Sequence, residues 1–199
     1  MAITCFSIDD SMRMKFVAFI TISFLSLCLL VSACQPTSDS AILLESRFFD
    51  LKGYFEQEIQ RLGEKGKAQK QVMVDGKKEE RGVDSVDFRK ELNVFASSDI
   101  NRPAWSDAYK VDSVFNKSGE VLRLGISALD KNLKAQQITI DYFDRNVSKI
   151  FIENVSKNPI TTAIQRLTYM PSAGYIIESH QDIHVGGEHD FKVEVHFIR

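Results

Sequence analysis

The sequence predicts an α+β fold: an antiparallel β meander of about six to eight strands, forming a curved sheet, with an N-terminal helix packed on one face. Two observations support this fold class. Apolar residues first repeat at spacings of three and four, which is typical of an amphipathic helix. From Tyr109 onward they alternate with polar residues between short turn sequences, which favours antiparallel strands.

The first helix is expected over residues 40–62. Gly63 and Gly66 follow it and are expected to end it, because glycine is common just past a helix C-terminus. Its predicted apolar stripe consists of Leu44, Phe48, Leu51, Phe55, Ile59 and Leu62.

A hairpin and a second helix are expected next. The Asp75-Gly76 dipeptide is a strong two-residue turn signal between Lys70–Val74 and Lys77–Val83. The second of these strands is highly charged, which places the hairpin at a sheet edge or in a protrusion. The second helix is expected over Val86–Ala96, with Phe88, Leu92 and Phe95 on its buried side.

The alternating part of the chain contains the strands of the predicted meander. Turn residues such as Asn, Asp, Gly and Pro separate neighbouring segments. The candidate strands are Tyr109–Phe115, Glu120–Ala128, Ala135–Phe143, Val147–Val155, Ile164–Met170, Gly174–Ile183 and Phe191–Ile198.

Composition excludes several functional classes. The 199 residues carry a formal charge of −2, so the chain lacks the basic field that nucleic acid requires. No cysteine follows Cys34, which removes thiol chemistry and disulfides from residues 35–199. The motifs Gly-x-Ser-x-Gly and His-Glu-x-x-His and a phosphate-binding glycine loop are missing. The sequence therefore predicts neither an enzyme nor a bound cofactor.

The N-terminal residues have the pattern of a secretory signal. Arg13 and Lys15 precede an uncharged run over residues 16–33. Two other interpretations stay open: an uncleaved span, since the run approaches the roughly 20 residues that a span needs, or an ordinary cleavage site beside a chance cysteine. Met12 and Met14 are alternative starts, because acidic residues such as Asp9 are unusual in such a signal.

The order Val31-Ser32-Ala33-Cys34 resembles the lipobox of bacterial lipoproteins. The resemblance implies cleavage before Cys34 and acylation of this residue, which would attach the protein to a membrane through lipid alone. It divides the chain into a signal peptide (1–33), a lipidated cysteine with a tether (34–40) and a single domain (41–199).

A second resemblance concerns the globular part. Phe49-Asp50-Leu51-Lys52-Gly53-Tyr54-Phe55 and Asp99-Ile100-Asn101-Arg102-Pro103-Ala104-Trp105 look similar to uncharacterised lipoproteins of the Bacteroidota. Gln35 follows the cysteine and no acidic tract comes after it. Together these features imply a cell-envelope location, at the outer membrane and facing the periplasm.

Two groups of residues are candidate sites within the domain. His180, Asp182, His184 and His196 could bind zinc or copper, since the first three share strand parity; the simpler interpretation places them on a solvated face. Asn101, Arg102 and Trp105 form a candidate binding loop, because Trp and Arg are favoured anchors at interfaces. In the alternative interpretation Trp105 closes one end of the core.

These observations predict a lipid-anchored envelope protein without catalytic activity, with a structural or protein-binding role and a possible protein partner in the envelope. The alternative is a carrier or sensor of a hydrophobic ligand, held in a cavity between sheet and helix. That alternative rests on the abundance of aromatic residues, 14 Phe and 5 Tyr, and on a likeness in shape to periplasmic lipoprotein carriers. Core packing is the commoner use of such residues.

Overall fold

The computed structural model describes residues 47–198, with the backbone alone for residues 79–84. Two α-helices, a short 3₁₀ helix and one sheet make up this part of the chain. In chain order they are α1 (Leu51–Leu62), β1 (Lys65–Val74), β2 (Lys77–Asp87), α2 (Phe88–Ala96), the 3₁₀ helix (Pro103–Trp105), β3 (Tyr109–Phe115), β4 (Val121–Ala128), β5 (Ala135–Phe143), β6 (Asn146–Lys157), β7 (Thr161–Met170), β8 (Gly174–Ile183) and β9 (Gly187–Phe197).

All the strands form a single 9-stranded antiparallel sheet in the order β2-β1-β9-β8-β7-β6-β5-β4-β3. The α+β class and the meander from β3 to β9 are confirmed. The predicted count of six to eight strands is too low, because the β1–β2 hairpin joins the sheet. Its strand β1 pairs with the last strand, with Val72 opposite Val193.

Helix α1 begins at Leu51, so the prediction of a helix from residue 40 is wrong over residues 47–50; residues 40–46 lie outside the described part. Asp50 caps the helix, and its Oδ1 accepts a hydrogen bond of 2.8 Å from the Gly53 amide. A Cβ at residue 53 would collide with the Asp50 carboxylate. Gly53 therefore permits the cap despite its low helix propensity.

Helix α2 also begins later than expected, at Phe88. Strand β2 continues to Asp87, which pairs with Lys65 at the start of β1. The Asp87 carboxylate then accepts a hydrogen bond of 3.1 Å from the Lys90 amide and caps the helix. Val86 and Asp87, which were predicted to be helical, therefore belong to strand β2 because they pair with β1.

One face of the sheet is apolar and the helices pack against it. An aliphatic row crosses eight successive strands through direct cross-strand partners. From one side of the sheet to the other it consists of Val111, Ile126, Ile138, Ile152, Leu167, Ile177, Val193 and Val72. The side chains from Ile126 to Leu167 are at most 1% exposed, so the core is centred on β4–β7 in this row.

Aromatic rings fill the interface between the helices and the sheet. Phe55 of α1 lies 5.0 Å, centroid to centroid, from both Phe95 of α2 and Tyr169 of β7. Phe55 is fully buried, and so are Leu51 and Leu92 in the same helices. Most residues of the two predicted apolar stripes therefore belong to the core, as their helical spacing indicates.

The opposite face of the sheet is polar. Glu153, Arg166, Glu178 and Lys192 are successive cross-strand partners on β6–β9, with alternating charge. Arg166 Nε lies 2.9 Å from Glu153 Oε2, and Lys192 Nζ lies 3.4 Å from Glu178 Oε1. This face is solvated and its charges compensate one another.

Candidate functional site

The predicted lipidation site lies outside the described residues. This applies to Cys34 and to the cleavage-site residues Val31, Ser32 and Ala33. Within residues 47–198, neither helix has the length and hydropathy needed to cross a membrane.

The structure does not bring the four predicted metal ligands together. His196 pairs with Gly174 at the start of β8, whereas His180 pairs with Asp190, so about 20 Å of strand separates the two histidines. Asp182 is exposed and lies opposite Glu188. In the described part of the chain, no group of three His, Cys, Asp or Glu side chains is placed to hold a metal ion. The prediction of this ligand set is wrong because strand register, not sequence proximity, sets its spacing.

These histidines have other local partners. His180 Nδ1 lies 2.9 Å from Asp190 Oδ1, and this hydrogen bond raises the pKa of His180. His184 Nδ1 lies 3.0 Å from the Pro159 carbonyl oxygen, which it bonds as a donor. His196 Nε2 lies 3.0 Å from Glu194 Oε1. Each imidazole thus has a partner near its own strand or turn.

Side chains of the predicted binding loop take part in the hydrogen bonding and packing of the fold. Asn101 Oδ1 accepts a hydrogen bond of 3.1 Å from the Phe48 amide, and its Nδ2 donates one of 3.1 Å to the Phe49 carbonyl. The Arg102 guanidinium lies 4.4 Å from the centroid of the half-buried Trp105 ring. Asn101 therefore holds the chain ahead of α1, and the Trp105 ring packs beside Tyr109 at the border of the core, 6.5 Å from centroid to centroid.

Two tyrosine–glutamate hydrogen bonds join the helices to the middle of the sheet. Tyr169 donates its hydroxyl to Glu58 Oε2 of α1 at 2.5 Å, and Tyr175 donates to Glu91 Oε2 of α2 at 2.6 Å. Burial and then the neighbouring glutamate raise the pKa of each tyrosine far above its ordinary value. Arg61 also bonds both oxygens of Glu58, at 2.9 and 2.7 Å.

A groove of about 370 Å³ lies on the polar face. Its lining includes Arg166, Glu178, His180, Asp190 and Lys192. The cations in this lining lie beside carboxylates, as the ion pairs above show, and so do not present an unbalanced charge to a ligand. The groove therefore indicates no specific ligand chemistry.

An apolar hollow of about 410 Å³ lies at the end of the sheet where the β3–β4 and β5–β6 turns meet. We define the sheet-end patch as Phe115, Val121, Leu124 and Tyr142. Val121, Leu124 and Tyr142 line the hollow, and Phe115 is the direct cross-strand partner of Val121.

The rim of the hollow is charged, and its side chains are joined by hydrogen bonds. Arg145 Nε donates to Glu120 Oε1 at 2.8 Å, and Asn116 Nδ2 donates to Glu120 Oε2 at 2.9 Å. These two hydrogen bonds, that from Arg145 first, lower the pKa of Glu120. One carboxylate thereby links two hairpin turns around an apolar centre.

The side chains of the patch are more exposed to solvent than is usual for apolar residues. Phe115 is 57% exposed and Val121 is 36% exposed, and the neighbouring Phe143 is 78% exposed. Phe143 is therefore an exception to the core packing that is the commoner use of aromatic residues. Its position directly before the turn at Asp144 is the sequence signal that could have indicated exposure.

No protein-family model, no curated protein and no solved structure matches this chain.

Proposed function

We propose that this protein is a lipid-anchored envelope protein that binds another protein through the sheet-end patch and has no catalytic activity. The anchor in this proposal is Cys34, and the domain faces the periplasm from the outer membrane. The exposed apolar patch around the hollow is the observation that supports the binding role.

The patch has the composition and shape of a protein-binding surface. Aromatic residues are enriched at such interfaces, and anchors commonly fill pockets surrounded by a polar rim. Here Phe115 and Tyr142 supply aromatic surface, while Glu120 and Arg145 form the rim. An apolar side chain of a protein partner fits this arrangement, because burying it would also cover Val121, which lines the hollow.

The geometry under the helices favours protein binding over the carrier alternative. A carrier needs an apolar cavity of several hundred Å³ between helix and sheet. Leu51, Phe55, Phe95 and Tyr169 occupy that space and are fully buried. A hydrophobic ligand would have to displace α1 and break the Glu58–Tyr169 hydrogen bond.

The anchor is tested by replacing Cys34 with serine in cells that express the full chain. We expect loss of radiolabelled palmitate incorporation and release from the membrane fraction, because the acylated thiol is the attachment point. Cys28→Ser is the matched control and should retain both label and fractionation. Unchanged labelling of Cys34→Ser would contradict the anchor.

The binding role is tested by photo-crosslinking in intact cells from a benzoylphenylalanine at position 115. We expect one discrete adduct with a protein other than this chain, and Val121→Ser should abolish it, because this change removes exposed apolar surface from the patch. Leu129→Ser is the matched control, since Leu129 is 66% exposed but lies outside the patch. An adduct unaffected by Val121→Ser, or adducts only with lipid or with a second copy of this chain, would contradict a different protein partner at this surface.

A further inference from the structure

Among residues 47–198, no strand lies beside the outer side of β3, and alternate backbone groups of β3 point outward there. The Leu129 amide donates to the Ala108 carbonyl at 2.9 Å, which continues the register that pairs Tyr109 with Ala128. Hydrogen-bonded positions alternate in an antiparallel pair, so residues 110 and 112 bond to β4. The N–H and C=O groups of Tyr109, Val111 and Ser113 therefore point away from β4.

The charged residues of this edge have neutral residues as their direct cross-strand partners on β4. Lys110 and Asp112 lie on the polar face, and their side chains are 64% and 66% exposed. Their partners on β4 are the neutral residues Ser127 and Gly125. The two charges pair with each other along the strand, with Lys110 Nζ 3.1 Å from Asp112 Oδ2.

The apolar face is also incomplete at this edge. Val111 is the last member of the aliphatic row and is 42% exposed, whereas its neighbour Ile126 is 1% exposed. A further strand beside β3 would bury Val111 and satisfy the outward backbone groups at once.

We propose that two copies of this chain associate through β3, antiparallel, about a two-fold axis at Val111. Val111 then pairs with the partner's Val111 and exchanges two backbone hydrogen bonds with it. Tyr109 pairs in the same way with the partner's Ser113. Lys110 faces the partner's Asp112 on both sides of the axis, so each charge gains an opposite charge across the interface.

Charge and hydrogen bonding together select this register. An axis at Ser113 would place Asp112 opposite the partner's Val114, and an axis at Tyr109 would place Lys110 opposite the partner's Ala108. These two alternatives leave the charges without cross-strand partners, and an axis at Lys110 or at Asp112 would place like charges opposite each other. A self-complementary edge of this kind is what a two-fold interface requires. The pairs that define the association lie over residues 109–113, away from the hollow and the lipid anchor, while Phe115 ends the same strand beyond them. The substitutions that test it, at Lys110, Val111 and Asp112, leave the side chains of the patch unaltered, so its failure is distinguishable from that of the proposed function.

Charge exchange tests the register, with the full chain in detergent and sedimentation equilibrium as the measurement. Lys110→Glu and Asp112→Lys should each weaken self-association about tenfold or more, because each places two like-charge pairs across the axis. An equimolar mixture of the two variants should restore a dimer, since the glutamate introduced in one copy would then face the lysine introduced in the other. Lys131→Glu, on an exposed turn, is the matched control and should dimerise like the unaltered chain.

Cysteine cross-linking tests the axis independently of charge. Val111→Cys should form a disulfide with its own copy, since hydrogen-bonded antiparallel partners have Cα atoms about 5.5 Å apart. Lys110→Cys should not, because its two copies would lie about 8 Å apart across the axis, beyond disulfide reach. Tryptic mass spectrometry identifies the linked peptides.

Three results would overturn the proposal. The unaltered chain could be monomeric at every concentration, the mixed charge variants could fail to restore a dimer, or position 111 could fail to cross-link in a dimer. A monomer whose Val111 amide resists hydrogen exchange would show that another segment of the same chain occupies the edge.

Discussion

Tyr169 and Tyr175 are direct cross-strand partners on β7 and β8, and each hydroxyl donates to a glutamate on a different helix. One pair in the middle of the sheet thus positions both helices. Glu58 also bonds Arg61, and Glu91 also bonds Lys70, whose Nζ lies 2.5 Å from Glu91 Oε1. The buried hydroxyls and carboxylates therefore satisfy one another.

The tyrosine pair predicts a stability loss at alkaline pH. The raised pKa of each hydroxyl means that the folded protein retains protons that the unfolded chain releases near pH 10. The contribution of these two hydroxyls to the free energy of unfolding is therefore fully present below about pH 10 and falls as pH rises above it. Urea unfolding at pH 8 and at pH 10–11 should show this decrease.

Substitution of each tyrosine tests whether the pair causes the decrease in stability at alkaline pH. Tyr169→Phe and Tyr175→Phe should each lower the free energy of unfolding at pH 8 by about 2 kcal/mol, through loss of a hydrogen bond to a charged group. Each should also flatten the alkaline slope. Tyr142→Phe is the control with a smaller effect, because burial alone raises the pKa of Tyr142. An unchanged slope in the double variant would contradict this account.

Gly174 is predicted to be sensitive to the smallest substitution. Its φ of 148° lies in the region that favours glycine, and a Cβ there would collide with the Val195 carbonyl. Gly174→Ala should therefore lower the free energy of unfolding by about 3 kcal/mol or more. Gly125→Ala is the matched control, since its Cβ would meet only the Asp112 carbonyl oxygen, at 3.7 Å. Equal effects of the two changes in chemical denaturation would refute this.

Asp75 links two hairpins, and its contribution to the stability of the fold should depend on pH in the acid range. Its Oδ1 accepts from the Asp190 amide at 2.8 Å, and its Oδ2 lies 3.3 Å from His189 Nδ1. The Asp190 amide, more than His189, lowers the pKa of Asp75. A lowered pKa stabilises the fold above the ordinary carboxyl pKa and loses this effect as pH falls through the folded value.

The Asp75 contribution can be isolated in thermal unfolding between pH 2 and pH 7. Asp75→Asn keeps a hydrogen-bond acceptor and tolerance of the positive φ of 48°, but it removes the charge. Its midpoint should therefore be lower than that of the unaltered protein at pH 6 and should converge with it at the acid end. A constant difference across this range would show that the carboxylate charge is not the cause.

The aliphatic row predicts a gradient of mutational cost from the centre to the edge. Ile138→Ala should cost about 3 kcal/mol, because the side chain is 1% exposed and leaves a cavity. Val111→Ala should cost about 1 kcal/mol or less in the monomer, because Val111 is 42% exposed. Denaturant titration at low protein concentration measures both, and comparable costs would contradict a core centred on β4–β7.

Local patterns were sufficient to predict most elements of this fold. Strands β3, β5 and β8 match their predicted bounds, because alternation and turn residues act over a few neighbouring positions. The stripe residues Leu51, Phe55 and Ile59 are buried as their helical spacing indicates. The extension of the helix to residue 40 was wrong over residues 47–50, since the Asp50 cap and Gly53 mark a start that the apolar spacing passes over.

Long-range pairing accounts for the remainder. The partnership of β1 with β9 joins distant parts of the chain, and no local propensity encodes it. Register then separates His180 from His196, which the sequence alone had allowed to meet. It also brings Glu120 to Arg145 and leaves Phe115 exposed beside a hollow. Side-chain types are local properties of the chain, whereas the distances between them follow from which strands become neighbours.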